Sequence, residues 1–562
     1  LLIKKHMRNH FIKEIGLSIV LMGVTMSCND FLDKQPLSSI ADTNFWKNEN
    51  DAKLALVGCY RVQPSWQNHD FQTSSGLLYL DFAGGNGTDK EGSTFSMAGT
   101  STNSSNWPLS EYWMNAYAQI AQYNTFLDNI ENCPMDGQKK KVWAAEVQVL
   151  RAYSFFNLAF YFQNVPMPLT SLTVEEANTI SQTSQADIYN QIEKELKEVI
   201  EILPLKQSNE DYGRVTKGVA KVLLSRVYLA KNDYVNASSI LQSIIADGVY
   251  ELDKSEGRDS YEKLFQIGGE YSSEIIFFTQ RAKDLYVTAW LQYLYPECYG
   301  GWHQYSVYNE LVREYFCVDG KSIEDSPLYN EEDPYVNRDI RLYASVFMPP
   351  LGTFEGQTYN GVTYDCFNGA NTNDSYNRYT RFNGYCPKKG FDPSVLNSNL
   401  LQSYEYTPIF RYAEVLLSYL EAVNEASPSS VTQALLDLTI NDVRDRVGLP
   451  PYSMVDLSSQ DIVREAVRKE RRVELAFEGL RYFDILRWGT ASELLNHTFT
   501  GVKLSDNPDD RNYRGAGSTA SAVDENLYYQ FEKREWAPYN RYFPIPQGDM
   551  NINKNLIQND GY

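Results

Sequence analysis

"GRVTKGVAKVLLSRVYLAKNDYVNASSILQSIIADG", residues 213–248, has the pattern of two helices joined by the short turn "KND". Apolar residues recur every three or four positions on each side of this turn, which is the spacing of one buried helix face. Paired helices with a small residue at their crossing are typical of tetratricopeptide repeats, in which each pair buries its apolar face only against neighbouring pairs. The segment therefore predicts a mainly α-helical fold, a tetratricopeptide-like superhelix of helical pairs. The two apolar faces consist of Val219, Leu223, Val227, Tyr234, Ala237, Leu241 and Ile244.

Segments on both sides of this pair have the same helical spacing. A helical pattern begins near Asp51, and the prolines Pro166 and Pro204 end two later helices because the residue before a proline disfavours the α conformation. The pattern predicts several further helices around the central pair. They cover residues 109–130, 140–165, 185–203, a second pair over 408–449, and 460–489.

Residues 270–405 differ from the helical segments, because they are rich in Tyr, Asn, Gly and Pro and show few helical periods. We expect loops and short strands here, laid on the helical scaffold. Binding residues are concentrated on loops that a rigid scaffold positions, so this region is the expected ligand face. The predicted organisation is a leader over residues 1–28, an N-terminal helical region over 29–269, and a C-terminal region over 270–562 with the loop-rich ligand face and further helices.

The leader has the features of a secretory signal peptide. Basic residues precede the apolar run "IGLSIVLMGVTM", whose 12 residues fall short of the ~20 that span a bilayer. Ser27 before Cys28 suits cleavage by a lipoprotein signal peptidase, after which Cys28 would carry the acyl chains that hold the protein on a membrane. Simple secretion and a short transmembrane anchor are the alternatives. Residues 29–43 would form an extended spacer.

Composition excludes some ligand classes. The 562-residue chain has a net charge of −21, which argues against binding to nucleic acid and against unaided binding to anionic membrane surfaces. Aromatic residues make up 14% of the chain and include 41 tyrosines. This excess is high, and tyrosine is typical of surfaces that offer both apolar contact and hydrogen bonds.

Motifs of known catalytic chemistry are missing from the sequence. It contains neither HExxH nor GxSxG, and Tyr315 stands where a phosphate loop ending at "DGKS" (319–322) needs its first glycine. The glycine-rich segment 83–92 lacks the spacing of a dinucleotide loop and is interpreted as a surface loop. These absences argue against a zinc hydrolase, a phosphate-loop enzyme and a serine hydrolase with a nucleophile elbow. A cluster of charged residues in one predicted helix is interpreted as scaffold ion pairs, and it comprises Glu470, Arg471, Arg472, Glu474, Glu478 and Arg481.

Two further features leave alternatives open. Cys366 and Cys386 flank a loop rich in Tyr and Asn, where they form either a disulfide bridge or two isolated buried thiols. The segment "NEEDPYVNRD" (330–339) offers oxygen ligands for calcium but lacks the spacing of an EF-hand loop. No other cofactor is predicted.

Several segments, in order along nearly the whole chain, resemble the SusD/RagB family of outer-membrane lipoproteins of Bacteroidota. In the N-terminal half they are "CNDFLDKQPLSSI", "FWKNENDAKLALVGCY", "RAYSFFNLAFYFQNVPMPL" and "YGRVTKGVAKVLLSRVYLAKNDY". In the C-terminal half they are "FRYAEVLLSYLEAVNEA", "VRKERRVELAFEGLRYFDILRWG" and "YFPIPQGDMNINKNLIQNDGY". The resemblance implies a helical fold with four tetratricopeptide-like units. It also implies a non-enzymatic nutrient-binding protein, lipidated at Cys28 and seated as a lid on a SusC-like TonB-dependent transporter at the outside of the outer membrane.

The resemblance also implies where a ligand would bind. A neutral sugar packs a face of its ring on an aromatic side chain, while its hydroxyls exchange hydrogen bonds with polar side chains. Family sites draw on the loop before the "YWMNAYAQIAQYN" helix and on the central loops, here "WLQYLYPECYGGW" (290–302). Trp113, Trp143 and Trp488 lie in helical patterns and are expected in the core. The implied ligand contacts are Trp107, Trp290, Tyr293, Tyr295, Tyr299 and Trp302, with Asp81 and Asn106 as polar partners.

Three hypotheses for function follow from these observations. In the first, the protein captures oligosaccharide or polysaccharide at the cell surface and delivers it to the transporter. In the second, the same architecture binds peptides, because tyrosine-rich loops bind both kinds of ligand. In the third, the protein is a secreted glycoside hydrolase, for which the abundant Asp and Glu residues single out no carboxylate pair.

Overall fold

The computed structural model describes residues 45–62, 69–93, 97–367, 374–377 and 382–562. The predicted signal peptide, the predicted lipid site Cys28 and the predicted spacer 29–43 lie outside the described residues. Within the described ranges, none of the helices combines the length and the apolar character that a membrane crossing requires.

Helices form most of the regular structure, as the sequence predicts. Those of the N-terminal half are α1 (Glu49–Cys59), α2 (Ser74–Ala83), α3 (Trp107–Ile130), α4 (Gly137–Phe162), α5 (Val174–Ala177), α6 (Gln185–Ile200), α7 (Lys217–Ala230), α8 (Tyr234–Ala246) and α9 (Ser260–Lys263). Those that follow are α10 (Trp290–Leu294), α11 (Asn309–Glu314), α12 (Ile340–Ser345), α13 (Tyr412–Ala426), α14 (Gln433–Leu438), α15 (Ile440–Arg446), α16 (Gln460–Glu474), α17 (Arg481–Arg487), α18 (Ala491–Leu495) and α19 (Gln547–Ile552).

The segment 213–248 forms the predicted helical pair, α7 and α8. Their connection is short because Asn232 adopts the left-handed region at φ 55° and Asp233 caps α8 by accepting from the backbone N–H of Asn236. Every predicted face residue of the pair except Tyr234 is buried, and Tyr234 packs against the same core. The helices α3, α4, α6, α7, α8, α13 and α16 then pack in succession, each against the next. The fold prediction is confirmed.

The second predicted pair, 408–449, starts later and is divided. Residues 407–411 form strand β8 (Thr407–Arg411), which pairs antiparallel with β2 (Ile275–Thr279), so helix α13 begins only at Tyr412. The partner helix is split into α14 and α15 at Thr439, whose ψ of −96° does not continue a helix. Strand pairing across about 130 residues of chain has no helical signature, which explains the error at 408–411.

The predicted single helix over 460–489 is also wrong, because the chain breaks between α16 and α17. Phe477 and Gly479 both adopt positive φ, at 68° and 80°. The backbone N–H of Gly479 donates to Asp81 at 2.9 Å, and the carbonyl of Ala476 accepts from Lys389 at 3.0 Å. Partners from distant parts of the chain therefore satisfy the backbone groups that the break exposes.

Short two-stranded sheets lie on the helical scaffold. The strands β2 to β7 fall within residues 270–405, where loops and short strands are predicted. β1 (Gly87–Asp89) pairs with β3 (Tyr305–Val307), and β2 pairs with β8. The remaining antiparallel pairs are β4 (Val346–Phe347) with β7 (Cys386–Pro387), β5 (Thr358–Tyr359) with β6 (Val362–Thr363), and β9 (Thr498–Lys503) with β10 (Tyr528–Lys533).

A buried network of charges joins helix α16 to the loop-rich region. Glu474 accepts hydrogen bonds from Arg411 at 2.6 Å, from Arg341 at 2.9 Å, and from Arg446. Glu470 pairs with Arg341 at 2.6 Å, and these side chains are at most 1% exposed. Arg481 is buried, and its Nε has no hydrogen-bond partner among the described residues. The interpretation of the charged cluster as scaffold ion pairs is confirmed for its other five members. Its other paired members are Arg471 with Asp484, Arg472 with Glu314, and Glu478 with Arg411 and Lys389.

The described cysteines are free thiols, and Cys366 and Cys386 are among the buried ones. The bridge between them, one of the two alternatives from the sequence, is therefore wrong, and the isolated buried thiols are confirmed. Burial raises the pKa of the Cys386 thiol well above its usual range, as it does for Cys366, so both stay protonated and unreactive.

Candidate functional site

Trp107 stands at the start of helix α3, where the chain presents it to solvent. Asn106 caps this helix, because its side-chain oxygen accepts from the backbone N–H of Leu109 at 3.3 Å, and Pro108 fits the first turn. The Trp107 side chain is 38% exposed. A large apolar ring held at a helix N-terminus with this exposure can contact a ligand without rearrangement.

A row of aromatic rings lies behind Trp107. The ring of His69 meets the Trp107 ring edge-on at 4.6 Å and the Tyr79 ring at 4.0 Å. The row continues from Tyr79 to Tyr305 at 6.3 Å, and from Tyr305 to Trp290 at 5.5 Å. Rings at these distances and tilts attract one another beyond simple burial. The row fixes the position of Trp107 relative to the 290–302 segment.

The loop that carries Trp302 folds back over helix α10. The backbone N–H of Trp302 donates to the carbonyl of Gln292 at 2.6 Å, and that of Gln304 donates to Tyr293 at 3.1 Å. The Trp302 ring packs edge-on against Tyr293 at 4.8 Å and stays 41% exposed. Trp302 is thus a second exposed indole on a loop that main-chain hydrogen bonds hold in place.

Strand pairing joins the Trp107 side of the site to the Trp302 side. β1 follows helix α2, which carries Tyr79, while β3 follows the Trp302 loop, and Asp89 lies opposite Tyr305 in the pair. The backbone N–H of Lys90 extends the pairing by donating to the carbonyl of Gln304 at 2.7 Å. We call the surface formed by Trp107, Trp290, Tyr293 and Trp302 the aromatic face.

Burial keeps the phenol of Tyr293 neutral, and a carboxylate holds the ring of His69 in place. Burial, with a smaller contribution from the charge of Glu91, raises the pKa of Tyr293 to about 12, so its phenol stays neutral at physiological pH. His69 is held by Glu111, whose carboxylate lies 2.7 Å from Nδ1. The face therefore offers neutral rings with acidic groups nearby, an arrangement that suits hydroxyl-rich, uncharged ligands better than anions.

A buried pair anchors the base of the Trp302 loop. Asp374 accepts from the backbone N–H groups of Glu297 at 2.8 Å and Cys298 at 2.9 Å, and lies 2.7 Å from Nδ1 of His303. Burial alone would raise the pKa of Asp374, but its hydrogen bond and charge interaction with His303 outweigh burial and lower it. The carboxylate therefore stays ionised and ties both ends of the 297–303 segment together.

Burial corrects part of the predicted ligand contacts. Asp81 is 0% exposed and its oxygens accept from Asn86 at 2.5 Å and from Gly479, so it cannot reach a ligand. Tyr295 is also 0% exposed, with its hydroxyl accepting from the backbone of Asp392 at 2.9 Å. Tyr299 is buried and donates to backbone carbonyls of the 357–362 hairpin. These three residues support the scaffold, and the prediction that they contact a ligand is wrong.

The remaining predicted contacts lie at or beneath the aromatic face. Trp107 and Trp302 are exposed, Trp290 is half-buried, and Tyr293 is largely covered by Trp302. Asn106 is buried and acts as the helix cap that orients Trp107. Contact of these five residues with a ligand stays a prediction.

The expected core tryptophans are mostly covered. Trp113 and Trp143 are buried, as predicted. Trp488 is half-buried, and its indole N–H donates to Glu421 at 2.8 Å. All three therefore belong to the helical scaffold.

The carboxylates of the segment predicted to bind calcium lie against protein groups. Glu332 lies 2.8 Å from Nζ of Lys503, Glu331 pairs with Arg313 at 3.2 Å, and Asp339 pairs with Arg341 at 2.7 Å. No group of three or more His, Cys, Asp or Glu side chains that could hold a metal ion occurs in the described ranges. Calcium binding at residues 330–339 stays a prediction.

Sequence reasoning missed the residues that hold the aromatic face together. No motif and no shared helical period in the sequence connects these residues, which are His69, Tyr79, Tyr305 and Glu111. Only the pairing of β1 with β3, across more than 200 residues, brings Tyr79 beside Tyr305. The segment "QNHDFQ" is the one signal for this part of the site, because it places a histidine in an irregular segment beside an aromatic residue. Such segments are common, so the signal is not specific for a binding site.

We expect Asp81→Ala to destabilise the protein without changing ligand binding at the aromatic face. The substitution leaves the buried N–H groups of Gly479 and Asn86 without an acceptor, at a cost of about 1–3 kcal/mol. Denaturant unfolding measures the loss, and calorimetric titration measures affinity. The exposed Asp560→Ala is the control, with no effect on either quantity. A drop in affinity for Asp81→Ala at full folding would return this residue to the binding site.

Comparisons with known proteins agree with this architecture over nearly the whole chain. The family described as "SusD family" matches residues 258–562, and the family described as "Starch-binding associating with outer membrane" matches residues 30–229. The first of these matches alone covers more than half of the chain.

Individual relatives share both length and fold with this chain. A solved SusD-like carbohydrate binding protein from Bacteroides fragilis is 30% identical, with a TM-score of 0.81 and coverage of 91% of this chain and 100% of that chain. A SusD-like protein of Formosa agariphila is 23% identical over 98% of both chains. The starch-binding protein SusD of Bacteroides thetaiotaomicron is 23% identical over 79% of this chain and 76% of its own. One family model matches the C-terminal half of the chain, a second matches most of the N-terminal half, and a solved relative has the same helical array. The chain therefore belongs to the SusD family.

Proposed function

We propose that the protein binds oligosaccharides or polysaccharides at its aromatic face and does not hydrolyse them. The observation that carries the proposal is the pair of exposed indoles, Trp107 and Trp302, on rigid supports beside half-buried Trp290 and buried Tyr293. Flat rings that are already fixed lose little conformational entropy when a sugar packs on them. The polar groups around them suit hydroxyls rather than charged ligands.

The names of relatives support a carbohydrate ligand. One relative is a starch-binding protein, the solved Bacteroides fragilis relative is a carbohydrate binding protein, and another structure of the same fold is a laminarin binding SusD-like protein. One name specifies starch, another laminarin and the third only carbohydrate, so the ligand class is better supported than any single polysaccharide.

The finer parts of the proposal concern location and partner. We infer that acyl chains on Cys28 hold the protein at the outer membrane with the aromatic face toward the cell exterior. A SusC-like TonB-dependent transporter would then receive the captured glycan. The description of the family that matches residues 30–229, which associates starch binding with the outer membrane, supports this placement.

Calorimetric titration of residues 29–562 against plant, host and fungal glycans, with a peptide mixture alongside, tests the proposal. We expect saturable binding to one glycan class and no release of sugars from it. Binding of peptides alone would replace the glycan by a peptide ligand in the same architecture. Release of sugars that depends on one Asp or Glu would identify a glycoside hydrolase.

A further inference from the structure

A second groove lies between helix α1, the segment 209–214 and strand β2. Its volume is about 520 Å³, within the range of 300–1,000 Å³ typical of small-molecule sites. Leu54 and Val57 on its helical wall are each 58% exposed. The lining includes Leu54, Val57, Arg61, Gln72, Tyr212 and Tyr286. We call this feature the Tyr212 groove.

Two stacked tyrosines form a flat edge to the Tyr212 groove. The rings of Tyr212 and Tyr271 lie 5.5 Å apart with an angle of 28° between their planes, and they are 38% and 72% exposed. Tyr212 is fixed from both ends, because its hydroxyl donates to the carbonyl of Glu270 at 2.5 Å and its own carbonyl accepts from Gln280 at 2.6 Å. The groove therefore has a rigid, exposed aromatic platform like the two indoles of the aromatic face.

Polar groups beside this platform lack protein partners. Tyr286 lines the groove, and its hydroxyl makes no hydrogen bond with the described part of the chain. The guanidinium of Arg281 lies 4.8 Å from the centre of the Tyr286 ring, and its Nε and Nη1 likewise have no partner among the described residues. These atoms are shielded from solvent, so the groove presents the ring of Tyr286, and not these donors, to a ligand.

Charges in the Tyr212 groove balance locally. Arg214 pairs with Glu146 and with Asp211, both at 2.6 Å, so its charge is neutralised within the protein. Lys53, Arg61 and Glu210 also belong to the lining. A groove of mixed charge with a tyrosine platform suits a neutral, hydroxyl-rich ligand better than an anion or a cation.

Two short segments connect the Tyr212 groove with the aromatic face. Residues 69–72 run from His69, which contacts Trp107, to Gln72 in the groove lining. Residues 286–290 run from Tyr286 in the lining to Trp290 of the aromatic face. The Cα atoms at the two ends are therefore at most about 11 Å apart in the first segment and at most about 14 Å apart in the second. Residues 69–72 are buried, so the partly exposed segment 286–290 is the route along which an oligosaccharide of modest length would reach from one surface to the other.

We propose that the Tyr212 groove is a second carbohydrate subsite, which binds a more distant part of the same glycan chain that occupies the aromatic face. This inference rests on the proposed function. It predicts that affinity rises with chain length until the glycan fills both surfaces, because the second contact is then made within one bound molecule.

Titration with oligosaccharides of increasing length tests the inference. The first series run from disaccharide to octasaccharide and come from starch and from laminarin. The corresponding series is added for any polysaccharide that binds in the panel. We expect Tyr212→Ala to weaken binding of the longest oligosaccharides about tenfold, the change expected for one lost aromatic contact. Binding of the shortest should not change. Tyr286→Ala, which removes a second ring from the groove lining, should act in the same direction. Leu285→Ala, at a neighbouring side chain that is 89% exposed and outside the lining, is the control.

The outcomes separate this inference from the proposed function. If short and long oligosaccharides both bind and the two groove variants leave the dependence on length unchanged, the subsite is wrong while the glycan-binding function stands. If neither the wild-type protein nor any variant binds an oligosaccharide or polysaccharide, the proposed function fails and the subsite fails with it. If Tyr212→Ala weakens binding of a peptide mixture instead, the groove takes a peptide and the inference is overturned.

Discussion

Glu474→Gln will lower the free energy of unfolding by about 3–5 kcal/mol, the cost of breaking one side of a buried ion network. The Glu474 carboxylate is 0% exposed and accepts from Arg411 at 2.6 Å, from Arg341 at 2.9 Å, and from Arg446. Glutamine keeps the shape but removes the charge that neutralises these guanidinium groups. Denaturant unfolding followed by circular dichroism measures the loss.

A matched control lies on the same helix. Glu465 is 74% exposed and its nearest cation, Arg468, is 3.7 Å away, so Glu465→Gln should leave the unfolding midpoint unchanged. Equal effects of the two substitutions would show that the network around Glu474 contributes no more than a surface charge. In that case the buried ion pairs of Glu474 would not be what attaches α16 to the loop-rich region.

The same network predicts how stability depends on pH. Burial alone would raise the pKa of Glu474, but the charges of Arg446, Arg411 and Arg341 outweigh burial and hold it well below its usual range. A carboxyl whose pKa is lower in the folded state stabilises the fold fully above the unfolded value, about 4.3, and progressively less as the pH falls below it. The wild-type protein should therefore lose stability below about pH 4 more steeply than Glu474→Gln.

Local periodicity was enough to predict the helical scaffold. The faces of α7 and α8 follow directly from the apolar spacing around the "KND" turn, and the buried positions match. It failed where distant groups decide the backbone. In the break between α16 and α17 the N–H of Gly479 donates to Asp81, which is almost 400 residues away in the chain, and residues 407–411 pair with β2. Neither contact leaves a period in the sequence.

The candidate site was predictable only in outline. Resemblance located the 290–302 segment and Trp107, but it could not separate exposed rings from buried ones within one tyrosine-rich run. Tyr295 and Trp302 are seven residues apart in that run, and one is fully buried while the other is 41% exposed. The difference arises because the Trp302 loop folds back over α10, a tertiary arrangement that aromatic composition does not encode.

Trp107→Ala and Trp302→Ala will each weaken glycan binding about tenfold, and the double variant about a hundredfold if the two contacts act independently. Each indole is exposed and rests on another ring, Trp107 on His69 at 4.6 Å and Trp302 on Tyr293 at 4.8 Å. Truncation therefore removes the surface on which a sugar ring packs while leaving the supporting rings in place. Calorimetric titration with the glycan identified in the panel measures the change.

Met114→Ala is the matched control for these variants, because Met114 lies on the same helix as Trp107 and is 60% exposed without belonging to the aromatic face. It should bind as the wild-type protein does, and all variants should keep the wild-type unfolding midpoint. Trp107 begins helix α3 and Trp302 lies before strand β3, so loss of binding in both variants would mean that one ligand contacts both parts of the aromatic face. Full affinity in the double variant would exclude the aromatic face as the capture site, even if the protein binds a glycan elsewhere.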